Sequence, residues 1–229
     1  MTIQEIQQAI RQLSRFQREN LAEWILNSAD FADHIAEAAP TYGELLEPVP
    51  LSVDEYLRRE LECPIRNEYV AGLAFPMADS TTRHALIANE VRKRFSNHLG
   101  GGPLRVFSDS MKLRLQLDQD VTFYYPDVMV APGAQDVAGH YLENPRLIVE
   151  VLAPSTSTID RREKAFTYRQ IDSLEEYAWI AQGSQKLKIY RRSDNWAPLV
   201  LTAPDAVVEF RSIGLSVTLE EIYKEAQGS

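Results

Sequence analysis

One segment constrains this chain more than any other: RLIVEVLAPST, residues 146–156. In an extended chain Leu147, Val149 and Val151 point to one face, and Ile148, Glu150 and Leu152 to the other. Both faces are apolar, as in a central strand covered on both sides. Glu150 then lies in a buried row near the strand's end. A lone buried carboxylate costs several kcal/mol unless it is paired, hydrogen-bonded or bound to a metal. Its compensation is either an ion pair with an arginine such as Arg146 or a place in a functional site. On this segment alone the two readings stand level.

A second acid tips the balance. In YYPDVMV, residues 124–130, Pro126 opens a strand where its missing N–H does least harm, and Asp127 follows as the first free-pointing residue. Taken singly, Asp127 reads equally well as a strand-entry aspartate. If the two strands are neighbours, the carboxylates converge. At ~4 Å and an effective dielectric near 20 they repel by about 4 kcal/mol. A hard divalent cation converts that penalty into attraction.

The helix IDRREKAFTYRQI follows, with Asp160, Lys164 and Tyr168 every four residues on one face that continues to Ile171. A face carrying Tyr168 and Ile171 looks toward the sheet, and Lys164 would then reach the acids from the side. The alternative is an exposed Asp160–Lys164 pair, worth only ~0.3–0.5 kcal/mol. His84 stands in the first turn of a helix over 82–99, on the stripe of Ile87, Val91 and Phe95, where a lone histidine is ordinarily a satisfied core residue. Glu68 opens a hairpin over NEYVAGLAFPM that turns at Ala71-Gly72, and it reads equally as a site residue or as a strand residue facing solvent.

Around these segments the pattern is mixed. Residues 1–40 are expected to form a helical appendage: Thr2 and Glu5 have the spacing of a capping box, and Ile3, Ile6, Ile10 and Leu13 recur at helical spacing. Pro40, Gly43, Pro48 and Pro50 mark a linker, so a second domain occupies 41–229. Strands are expected near 104–107, 111–117, 127–131, 146–152, 177–180, 186–192 and 206–210. Helices are expected over 51–62, 82–99 and 158–171, with a last one capped by Thr218 and Glu221. This is an α/β (α+β) domain with an N-terminal helical hairpin.

The single Cys63 excludes a disulfide framework and a cysteine-built zinc site and fits a reducing cytoplasm. No apolar run is long enough for a membrane span. The net charge of −9 argues against a nonspecific nucleic-acid coat, yet leaves room for a local basic groove. No phosphate-binding glycine loop, nucleophile elbow or zinc-binding H-E-x-x-H motif is present.

Assembled, these residues resemble the Uma-two (Uma2) family of restriction-endonuclease-like proteins within the PD-(D/E)XK nuclease superfamily. The resemblance covers about residues 50–195. Its carriers are Glu68 and Gly72, His84, Pro126-Asp127, the run from Glu150 to Thr156, Asp160, Lys164, Tyr168, Glu176-Tyr177 and Trp179-Ile180. It implies a restriction-endonuclease-like core, a mixed central sheet flanked by helices, and in many cases a homodimer. It also implies Mg²⁺-dependent hydrolysis of phosphodiesters, with Mn²⁺ able to substitute, acting on nucleic acid and most naturally DNA. Asp127 and Glu150 match the superfamily's metal-binding acids. Glu68 resembles a further acidic site residue, and His84 a residue lining the site.

The sequence departs from that pattern where the superfamily places lysine two residues after the glutamate: here stands Leu152. Lys164 is the expected replacement, oriented by Asp160. Arg92, Lys93, Arg94, Arg161, Arg162, Lys186, Lys188 and Arg192 are the candidates for steering a polyanion. The leading expectation is a metal-dependent endonuclease using Asp127, Glu150, Lys164, Glu68 and His84. The alternatives are a non-catalytic DNA-binding or regulatory module on the same fold, and a structural dimer with Glu150 held by an arginine.

Overall fold

A computed structural model describes residues 49–77, 80–117, 120–133, 141–152 and 158–226, with backbone alone at 49 and 158–163. The expected appendage over 1–40 lies outside the described residues, as do the side chains of Asp160, Arg161 and Arg162.

Two six-stranded sheets form the body. The first runs β1 (Val49–Pro50), β3 (Leu73–Pro76), β2 (Asn67–Val70), β6 (Asp120–Tyr124), β5 (Lys112–Leu117) and β8 (Tyr141–Leu142). The second runs β12 (Pro198–Leu201), β11 (Leu187–Arg191), β10 (Glu176–Ala181), β9 (Leu147–Leu152), β7 (Val128–Pro132) and β4 (Leu104–Ser108). A hairpin of β13 (Val207–Phe210) and β14 (Leu215–Thr218) stands apart. In the second sheet β9 and β10 are parallel and the other neighbours antiparallel, so the central sheet is mixed. The helices are α1 (Val53–Glu60), α2 (Thr82–Leu99), α3 (Thr158–Arg169) and the short α4 (Leu219–Tyr223).

The apolar run of β9 places it as expected. Leu147, Ile148 and Val149 are fully buried. Val149 and Val151 share a core with Val128, Val130, Ala178, Ile180 and the inner stripe of α2: Ile87, Val91 and Phe95. Ile148 and Met129 face the other way, toward Tyr168 and Ala165 of α3 and toward Leu113, Leu115 and Tyr124 of the first sheet. At about 1.5–3 kcal/mol per large apolar side chain, this two-sided burial fixes the strand's register.

Helix α2 begins where Thr81 accepts a hydrogen bond from the His84 N–H at 3.1 Å, and ends at Gly100 in the left-handed region (φ 50°). Its buried Glu90 pairs with Arg94 at 2.8 Å, and Arg94 reaches Glu221 of α4 at 3.0 Å. Between β2 and β3 the two turn residues both have positive φ, Ala71 at 52° and Gly72 at 83°. That is the two-residue turn whose twist matches a hairpin. A buried pair, Glu176 and Arg191 at 2.9 Å, pins β10 and β11 to the turn after β13, where Glu176 also accepts from Ser212.

Five strands go beyond the sequence reading: the two-residue β1 and β8, and β6, β12 and β14. β12 starts at a proline and exposes Leu199 and Val200, so it carries no buried face for periodicity to reveal. Elsewhere the boundaries shift by a residue or two. The most informative shift is at Asp127, which precedes β7 because its N–H goes to a side chain instead of a strand. No helix among the described residues is long and apolar enough to cross a membrane.

Candidate active site

The segment Tyr125-Pro126-Asp127 carries the chain from β6 in the first sheet to β7 in the second. β7 pairs antiparallel with β9, Val128 opposite Val149, which sets Asp127 beside Glu150. The Asp127 N–H donates to Glu150 Oε2 at 3.3 Å, and the Val151 N–H donates to Asp127 Oδ2 at 2.7 Å. The aspartate side chain thus takes the place of a strand carbonyl where the ladder ends. Its other oxygen, Oδ1, lies 2.9 Å from His84 Nε2 at the start of α2. Glu150 Oε1 accepts from the Tyr168 hydroxyl of α3 at 2.7 Å.

One turn before Tyr168 on α3, the Lys164 ammonium donates to Glu68 Oε1 at 2.7 Å and lies 5.2 Å from the centre of the Tyr124 ring. Glu68 comes from β2 and Tyr124 from the end of β6, both in the first sheet. The cluster therefore sits on the seam between the sheets. Beside it, His84, Asp127, Asn89, Arg92, Ser108 and Asp109 line a cavity of about 130 Å³.

The electrostatics follow from burial. Glu150 is 5% exposed, and desolvation pushes its carboxyl up to about 8. The Lys164 charge and the Tyr168 hydroxyl pull against that rise, while Asp127 and Glu68 add to it. Burial pulls His84 toward the neutral ring, but the hydrogen bond and charge of Asp127, with Glu150 and Asp109 behind it, outweigh burial and raise it. Desolvation and the neighbouring Glu150 hold the Tyr168 hydroxyl in its protonated form.

All five residues singled out from sequence, Glu68, His84, Asp127, Glu150 and Lys164, meet in this one cluster. Arg146, the arginine expected if Glu150 were merely an ion-pair partner, instead pairs with Glu175 at 2.6 Å. Sequence reasoning missed the Tyr168 hydroxyl as the donor to Glu150. Its position four residues after Lys164 was the available signal, but only the ring had been counted. The basic runs divide. Arg94 is committed to Glu90 and Glu221, whereas Arg92 is exposed at the cavity. Arg192 donates to the Ile171 and Leu174 carbonyls, which leaves Lys186 and Lys188 as the ammonium groups of that strand.

No three histidine, cysteine or acidic side chains form a ready metal cage among the described residues. The donor set is two hard carboxylates. Mg²⁺ is commonly held by one or two carboxylates, with water and substrate oxygens completing its shell. Each carboxylate has about four lone-pair positions, so the hydrogen bonds described leave oxygens able to coordinate. An ion there would add positive charge beside the buried Glu150, on the side that Lys164 already serves. The pair fits the group.

A family model described as "Putative restriction endonuclease" matches residues 53–220. The chain belongs to the Uma2 family. Among its relatives is an uncharacterized protein, slr1290, of Synechocystis sp. strain PCC 6803. It is 32% identical over 181 residues, covering 77% of this chain and 94% of that one. A second from the same organism, sll1609, is 29% identical over 165 residues, covering 70% of this chain and 92% of that one. In fold the Uma2 chain is similar to the crystal structure of "a putative nuclease belonging to DUF820" from Anabaena variabilis. That match has a TM-score of 0.62 at 19% identity and covers 76% of this chain and 98% of the other.

Proposed function

We propose that this Uma2 protein is a metal-dependent endonuclease that hydrolyses phosphodiester bonds in DNA. Asp127 and Glu150 hold Mg²⁺, for which Mn²⁺ can substitute. The observation that carries this reading is the pair itself: two carboxylates side by side on adjacent strands, Glu150 buried and Asp127 lining a cavity. When bound, the ion supplies an activated water and neutralises charge on the phosphate and the leaving oxygen.

The chain's own residues do the rest. Tyr168 and the Asp127 N–H fix the two oxygens of Glu150. The Val151 N–H and His84 fix those of Asp127. Lys164, held by Glu68 and laid over Tyr124, places a positive charge beside the acids, where negative charge develops on the phosphate. It does from a helix what the superfamily's lysine does from the strand at the position of Leu152. His84 is held toward its protonated form and faces the cavity, so it can donate to a phosphate oxygen entering there. The homodimer and the cytoplasmic setting belong to the same reading, through the resemblance and the sparse cysteine usage.

The test is a cleavage assay on supercoiled and linear DNA with Mg²⁺ or Mn²⁺, run beside Asp127→Asn and Lys164→Ala. Cleavage by the wild type and loss in both variants is expected. DNA binding without cleavage under any metal overturns the enzyme in favour of the non-catalytic module.

A further inference from the structure

The central sheet carries a second feature, legible in its register. Glu150 pairs with Trp179 on β10, Trp179 pairs with Lys188 on β11, and Lys188 with Val200 on β12. Partners in register point to the same face. One row therefore leads from the acids outward: Asp127, Glu150, Trp179, Lys188. Lys186, one strand period away, lays its ammonium 5.7 Å from the centre of the Trp179 ring. Lys188 lies 5.0 Å from the centre of the Tyr190 ring, and that ring stacks on Tyr177 at 5.9 Å. Trp179, Tyr190 and both lysines are only partly buried.

In a chain with net charge −9, surface lysines usually find carboxylates. Among the described residues neither Lys186 nor Lys188 forms an ion pair, while Arg94, Arg146, Arg191 and Arg211 all do. The row from the acids thus reaches a ring at Trp179 and then meets β11, where Lys186, Lys188 and Tyr190 share that face. Strands about 4.8 Å apart put Lys188 about 10 Å from β9. A stacked strand advances about 3.4 Å per nucleotide, so the row spans about three nucleotides. Trp179 lies on the sheet and not on a raised loop, so only a base that has left its duplex can stack on it.

We propose that Trp179, Tyr190, Lys186 and Lys188 form a track for single-stranded nucleic acid, with phosphates on the lysines and bases on the rings, leading an unpaired strand into the site. The proposal rests on the nuclease reading only for what happens at its acidic end.

The test is binding without divalent metal, in chelator. Fluorescence anisotropy follows labelled oligothymidylate, oligouridylate and a blunt DNA duplex across a salt series. The wild type should bind at least one single strand more tightly than the duplex. The double variant Lys186→Gln, Lys188→Gln should lower the log–log salt slope by about 1.4, at ~0.7 per phosphate contact on a single strand. Trp179→Leu should weaken binding roughly tenfold, and Trp179→Phe, which keeps a ring, should weaken it less. Equal or tighter binding of duplex by the wild type overturns the track, and so does an unchanged affinity and salt slope in the lysine variant. Lysine-dependent strand binding in a protein that never cleaves removes the nuclease reading and leaves the track standing. Cleavage with lysine-independent binding does the reverse.

Discussion

The Tyr168 hydroxyl donates to Glu150 Oε1 at 2.7 Å, and both side chains are buried. Burial raises the Glu150 carboxyl, and this hydroxyl is one of the groups that pull it back down. Tyr168→Phe removes that pull. The acid limb of the pH–rate profile should move to higher pH, because more alkali is needed to ionise Glu150 for metal. Metal-free stability near neutral pH should fall by about 0.5–1.5 kcal/mol, the usual net worth of a hydrogen bond between neutral groups, because Glu150 is then protonated. Thermal unfolding and a pH–rate profile check both.

Glu150 also makes metal-free stability depend on pH. Its carboxyl is held up at about 8, against an ordinary value of 4.5. In the folded state it keeps a proton that the unfolded chain has released. Its contribution is full below the ordinary value and is lost as pH rises through the folded one. Glu150→Gln abolishes this titration. Urea unfolding in chelator at about pH 5 and about pH 8 should show the variant gaining roughly 2–4 kcal/mol on the wild type across the interval. An equal difference at both pH values overturns the shift. Adding Mg²⁺ should restore the wild type more at the higher pH.

Lys164 arrives from α3, while Leu152 occupies the position on β9 that projects to the same side as Glu150. Lys164→Ala should cost roughly 10²–10³-fold in cleavage, the scale of one lost electrostatic group at a reacting centre. Adding Leu152→Lys in that background should return part of the activity. Full activity in Lys164→Ala alone removes the lysine from the chemistry.

A remote prediction concerns the hairpin that carries Glu68. Ala71 is exposed at φ 52°, where a Cβ is unfavourable and asparagine is tolerated. Ala71→Asn should stabilise by roughly 0.5–1 kcal/mol, about 1–4 °C in Tm, with cleavage unchanged. Calorimetry reads it directly.

The parts of the site legible in sequence were those governed by local periods. The pleat put Glu150 in a row that is apolar on both faces, and the four-residue period put Lys164 and Tyr168 on one side of α3. Asp127 could be placed because Pro126 marks the strand's start. Glu68 had no such signal: on β2 it reads as an ordinary strand residue, and only the family resemblance marked it. The fate of the charges was hidden for a different reason. Arg94 looks equivalent to Arg92 until Glu221, far along the chain, folds against it. The edge strand β12 was hidden because periodicity reports only what is buried.

The Val151 N–H ends its ladder on the carboxylate of Asp127. An orphaned buried N–H costs about 1–3 kcal/mol. A chain drifting away from aspartate at this position would therefore weaken its own framework before any loss of turnover could matter. The framework of the sheet and the chemistry thus ask for an acceptor at the same point of the chain.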